Sequence, residues 1–108
     1  MTNTTTNPFT IGDILICEWG WEQTNVDFYQ VVRTTAKSVW IRPINHTADQ
    51  VGYDEYHVEP IADSFIDDNE KGELHRVCYS GSEAYLHMNS YSVATRYTGQ
   101  DVLETTYA

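Results

Sequence analysis

From Glu18 to Arg33 the chain reads EWGWEQTNVDFYQVVR, and the second half of that stretch decides the fold class. Val26, Phe28 and Val32 fall on one side of an alternating run with Gln30; Asp27, Tyr29, Val31 and Arg33 fall on the other. Period two in β-branched and aromatic residues marks a strand with two different faces. Upstream, Gly12-Asp13 precedes Ile14-Leu15-Ile16-Cys17, an apolar run suited to a strand covered on both faces. Downstream, the turn Thr34-Thr35-Ala36-Lys37 leads into Val39-Trp40-Ile41-Arg42-Pro43-Ile44, the partner strand of a hairpin. Pro43 has no backbone donor, so it marks that strand's end or an edge position.

Further along, Tyr53 to Ile61 alternates weakly and predicts one strand, and Asp67-Asp68-Asn69-Glu70-Lys71-Gly72 is a polar turn or loop. Leu74 to Tyr79 and Ala84 to Met88, joined by Ser80-Gly81-Ser82, predict a second hairpin. Asn89 to Tyr97 carries mixed signals. Tyr91, Val93, Thr95 and Tyr97 alternate, while Asn89 or Ser90 as an N-cap and Gly99 beyond the end favour one or two helical turns. Val102 to Tyr107 closes the sheet. The expectation is a mainly β fold of five to seven antiparallel strands, SH3-like or a partly open β-barrel, with one short helix near the C-terminus. Residues 1–10 read as a flexible polar tail and 11–108 as a single domain.

Charge is the strongest compositional signal. The 108 residues carry 16 acidic and 6 basic side chains, a net charge of -10. Nine of the acids (Asp49, Asp54, Glu55, Glu59, Asp63, Asp67, Asp68, Glu70 and Glu73) lie between residues 49 and 73 with one base, Lys71, so nine minus one places -8 there. This sign disfavours direct nucleic-acid binding, which draws its affinity from phosphate contact. A basic protein surface is the complementary partner. A solvated face that keeps the chain soluble explains the same residues, as does adaptation to a salty cytoplasm, with only Lys37 and Lys71 as lysines. Fully extended, the segment presents about one carboxylate per 9 Å, and as a helix roughly one per 4 Å. Duplex DNA presents one phosphate per ~1.7 Å, so the segment underfills a nucleic-acid groove unless it folds back on itself, pairs in a homodimer or is joined by Glu83, Asp101 and Glu104.

The polar run Glu22-Gln23-Thr24-Asn25, between Trp19, Trp21 and Tyr29, supports three readings. Its side chains fix an irregular loop by bonding to backbone. Alternatively Trp19, Trp21, Glu22, Gln23, Asn25, Asp27, Tyr29 and Asn89 form a binding surface on a rigid scaffold, where Trp40 joins the aromatics as a small-ligand or base-stacking module. Least supported is a minor hydrolase built on Glu22, Asp27 and Asn89, since nothing supplies a nucleophile. His46, His57, His75 and His87 are scattered, and His57-Val58-Glu59 alone is a weak metal signature. No cofactor and no metal are expected. Cys17 and Cys78 sit in separate apolar runs and are expected as free thiols in a reducing cytoplasm. The longest apolar run falls far short of the ~20 residues of a membrane-spanning helix.

Trp19-Gly20, Gln23-Thr24-Asn25 and Asp27-Phe28-Tyr29-Gln30-Val31-Val32 make up a WGxxQTNxDFYQVV pattern. With Val39 to Ile44, Tyr85-Leu86 and Asn89-Ser90-Tyr91, it resembles a group of small uncharacterised proteins encoded by phages, plasmids and other mobile elements of bacteria. The chain departs from that group at Trp21-Glu22, where Tyr-Asp is usual, and at Arg96 to Gln100, where a Leu-Trp-Asp-Gly-Lys-like run is typical. The resemblance implies a cytoplasmic accessory protein of a mobile element. Joined to the acidic segment, it leads us to expect a non-catalytic protein that binds a host protein, with inhibition of a host defence nuclease as the sharpest form.

Overall fold

A computed structural model describes residues 7–19, 25–53, 55–80, 83–89, 92–99 and 102–105. Among them are seven antiparallel strands of four or more residues: β1 (Ile14–Trp19), β2 (Asn25–Thr34), β3 (Ser38–Gly52), β4 (Glu55–Phe65), β5 (Glu73–Arg76), β7 (Glu83–Asn89) and β8 (Ser92–Arg96). Two three-residue strands, β6 (Cys78–Ser80) and β9 (Leu103–Thr105), complete the ladders.

The long strand β3 organises the rest. Its N-terminal part lies between β2 and β5, with Trp40 opposite both Arg33 and Leu74. Its C-terminal part continues past β2 and pairs with β4 as far as Gly52↔Glu55. β5 runs through Val77 into β6, which pairs β7; β7 pairs β8, and β8 pairs β1. Strand pairing therefore makes a circuit, β1-β2-β3-β5/β6-β7-β8, from which the β3–β4 ribbon extends. The molecule measures 53 × 32 × 25 Å, its long dimension matching the ~50 Å of a fifteen-residue strand.

Alternation along β1 and β2 sorts their side chains into two cores. Leu15, Cys17 and Val31 join Val39, Ile41, Val77, Leu86 and Ala94 inside the circuit. Ile16, Val26 and Phe28 point the other way and pack with Ile44, Val58 and Val102, the last two brought in by β4 and the residue before β9. From Ile14 to Cys17, β1 is thus covered on both faces, as its unbroken apolar run demands.

Three expectations change. Ser92–Arg96 is strand, not the short helix expected over 89–97. Leu15↔Arg96, Ile16↔Thr95 and Cys17↔Ala94 complete the second edge of β1, and this pairing overrides the local capping signals. Of the residues 1–10 expected as a flexible tail, 7–10 are tied to the sheet, and 1–6 lie outside the described residues. Asn7 donates to the carbonyls of Thr35 (2.8 Å) and Ser38 (3.0 Å), and Phe9 is buried in the inner core. Finally, residues 45–65 hold most of two long strands where one short strand was expected. Their periodicity is weak because much of the ribbon has solvent on both sides.

Candidate functional site

The ribbon exists because β3 outlasts its first partner. Phe28↔Ile44 is the last registered pair of β2 with β3, while β4 follows the opposite edge through Ala48↔Val58 and Gln50↔Tyr56. Alternation gives the ribbon two unlike faces. Thr47, Asp49, His57 and Glu59 share one, and Ala48, Gln50, Tyr56 and Val58 the other. Asn45, Thr47, Ala48, Asp49, Gln50, Val51 and Tyr53 are exposed, Tyr53 to 88%.

The acidic residues of 49–73 divide by the work their carboxylates do. On the ribbon, the carboxylates of Asp49 and Glu55 have no hydrogen bond or ion pair among the described residues, and among those residues the Glu59 carboxylate meets only His57, at 3.9 Å. Asp54 lies outside the described residues. Asp63, Asp67 and Glu73, by contrast, hold structure. Asp63 adopts a left-handed φ of 64° inside a bulge of β4. There the buried Gln30 amide donates to its carboxylate at 2.8 Å and accepts its backbone N–H at 2.7 Å. Arg42 donates to the carboxylate and carbonyl of Asp67 at 3.0 and 2.8 Å while lying 4.0 Å from the centre of the Phe65 ring. Glu73 bonds His75 at 2.7 Å. Asp68 and Glu70 are exposed on the β4–β5 connection. The freely presented acid is therefore on the ribbon and that connection.

At its described positions the aromatic run is tied to its own hairpin and to the core. Trp19 Nε1 donates to Asp27 at 2.7 Å, across the hairpin closed by Trp19↔Asn25. Asp27 is thereby committed to the indole. Trp21, Glu22 and Gln23 lie outside the described residues, and Asn89 is described only as the end of β7, paired with Ser92. Tyr29 packs against the inner core, whereas Trp40 faces outward beneath the Arg33 guanidinium at 4.8 Å. Trp19, Tyr29 and Trp40 thus offer no shared stacking surface. Among the described residues no group of three or more His, Cys, Asp or Glu is placed to hold a metal.

Burial is the largest influence on the Tyr29 hydroxyl, which it pushes up to about 12, with Asp27, Cys17 and Glu73 adding to the effect. Folding favours its neutral form, so this contribution to stability is complete below about pH 10 and is lost as pH rises toward 12. Discounted for the hydroxyl's partial solvent contact, the loss is about 1 kcal/mol. Tyr29→Phe should remove that part of the alkaline decline, read by urea unfolding at about pH 9 and pH 11.5.

Cys17 is a buried free thiol whose pKa is raised, chiefly by desolvation, which makes it a poor nucleophile; Cys78 is also free. A cleft of about 780 Å³ runs over the outer side of β7 and β8, lined by Tyr85, His87, Val93 and Thr95 with Phe9 and Arg96 at one end. Arg96 is held there by the Pro8 carbonyl and by Asp13 at 3.2 Å, so its charge is already paired. Hydropathy and charge counting missed this cleft because it joins residues from both ends of the chain. The ribbon was missed too, because Pro43, read as the end or edge of its strand, lies inside β3 opposite Tyr29, and β3 continues to Gly52.

No family model, no curated protein and no solved structure matches the chain. No helix among the described residues is long and apolar enough to cross a membrane.

Proposed function

We propose that this chain is a non-catalytic accessory protein of a phage or other mobile element, acting in the host cytoplasm by binding a host protein with a basic surface. The ribbon carries this reading: it places the unengaged Asp49 and Glu55, with Glu59, on a two-stranded projection exposed to solvent. The pairing circuit supports a small, partly open, SH3-like barrel as its base, rigid enough to present the ribbon as a unit.

Magnitude decides how the charge works. Three carboxylates over about 25 Å of ribbon give about one per 8 Å, against one per ~1.7 Å for duplex DNA. The ribbon is too sparse to imitate a duplex. It suits contact with a few lysines or arginines at short range, since salt screens charges beyond ~8 Å. Inhibition of a defence nuclease then proceeds by covering a basic protein surface, not by filling its groove with substitute phosphates.

The test is charge reversal where the carboxylates are free. Asp49→Lys, Glu55→Lys and Glu59→Lys together should weaken partner binding on the order of 30-fold at low salt, from roughly 0.5–1 kcal/mol per reversed surface contact. Asp63 and Asp67 are unsuitable for this purpose because their loss perturbs the β4 bulge and Arg42. Equal recovery of the same partner from host lysate by the reversed and native proteins removes the ribbon from the mechanism.

A further inference from the structure

Among the described residues, the half of β3 that β2 leaves uncovered is an open strand edge. In an antiparallel ladder, successive residues direct their backbone groups alternately to one neighbour and then the other. Pro43, opposite Tyr29, has no N–H to give β2, so Arg42 and Ile44 are the residues that bond to β2. The same alternation sends His46, Ala48 and Gln50 to that side. The opposite edge agrees: Pro60, across from His46, cannot donate to β3, and Val58, across from Ala48, donates away from β3 to Val102 at 3.0 Å. The N–H and C=O groups of His46, Ala48 and Gln50 therefore point to an edge where no described strand pairs with them.

Natural sheets blunt such edges with charged side chains, lysine above all, with proline or with a bulge. Residues 46–50 contain no lysine or proline, Asp49 is their one carboxylate, and their register with β4 is unbroken. The flanking charges select the occupant. A second copy laid along this edge brings Asp49, Glu55 and Glu59 toward their own counterparts, in a chain already at -10. A strand with lysine or arginine at alternate positions meets the same carboxylates favourably. We infer that the free edge of β3 at His46–Gln50 receives an added strand from the partner, an extended basic segment that pairs backbone to backbone. This rests on the reading of the ribbon as the docking element and specifies how docking occurs.

A short synthetic peptide of alternating lysine and valine is the probe, followed by NMR amide exchange and titration on the full chain. Binding should slow exchange of the Ala48 and Gln50 amides while leaving Thr47 and Asp49, already bonded to β4, little changed. Ala48→Pro and Gln50→Pro remove donors only from the free edge, so each should fold and bind about tenfold more weakly. The same peptide N-methylated on the amides that would face β3 keeps its charge and should bind about tenfold more weakly as well, and this comparison decides the matter if a proline variant fails to fold. Equal binding of the parent and N-methylated peptides overturns strand addition while leaving charge contact by the ribbon in place. Equal binding to native protein and to the charge-reversed ribbon instead removes the docking role itself. A free protein that sediments as a dimer, with Ala48 and Gln50 amides protected until Gln50→Pro is introduced, gives the edge to a second copy and overturns the basic-segment proposal.

Discussion

Phe28→Ala is expected to lower the free energy of unfolding by about 3–5 kcal/mol, a large share of the 5–15 kcal/mol typical of a domain. Phe28 is 1% exposed and belongs to the core that β4 and Val102 build on the outer side of β1 and β2. Its ring meets Tyr97 edge-on with centroids 5.5 Å apart, and His46 at 5.5 Å in a tilted arrangement. Truncation leaves a void between two strands held in register by Phe28↔Ile44 and Ile16↔Phe28, so the backbone cannot collapse to fill it. The same residue anchors the base of the ribbon through His46, and the ribbon should become more exchange-labile in the variant. Leu86→Ala, in the inner core across the sheet, should cost about 2–5 kcal/mol and add nearly independently to Phe28→Ala. Denaturant titration of the single and double variants checks both statements. A Phe28→Ala loss below about 1.5 kcal/mol would mean that the outer face of β2 is not a packed core.

Gly72→Ala should destabilise by about 2–4 kcal/mol, combining left-handed strain with a clash against backbone. Gly72 has a φ of +80°, and an added Cβ would lie 2.9 Å from Val32 Cγ2, 3.0 Å from the Ile41 oxygen and 3.2 Å from the Ile41 nitrogen. Val32 can rotate away. Ile41 cannot, because it is held between β2 and β5 by Val31↔Ile41 and Ile41↔Glu73. Gly99 supplies the internal control: its φ is +87° but no atom lies within 4 Å of an added Cβ. Gly99→Ala should therefore show the strain alone, about 1 kcal/mol. Thermal or denaturant unfolding separates the two, and equal losses at both sites would show that residue 72 has no close neighbour.

The strands easiest to read from sequence were those with unambiguous burial. Ile14 to Cys17 is apolar at every position because both faces are covered, and the alternation from Val26 to Val31 assigns Phe28 and Tyr29 to opposite cores. The ribbon escaped because exposure on both sides erases the pattern that marks a strand. The helix expected near Asn89 failed because N-cap and glycine signals are local, whereas β8 is fixed by pairing with β1 some eighty residues earlier. The acidic segment was legible as charge but not as work. Gln30 is 33 residues from Asp63, and Arg42 is 25 residues from Asp67, so nothing local distinguishes those carboxylates from the free ones at Asp49 and Glu55. The free edge of β3 depends on where β2 stops following it, which only the registered pairs show.

We propose that the molecule works by contact through the β3–β4 ribbon. The most direct test is a residue-by-residue NMR titration of the native protein with the lysine–valine peptide. Shifts should concentrate between His46 and Glu59 and vanish when Asp49, Glu55 and Glu59 are reversed. Shifts centred instead on the Tyr85, His87 and Arg96 cleft, or spread evenly over Asp67, Asp68, Glu70 and the ribbon alike, would contradict it.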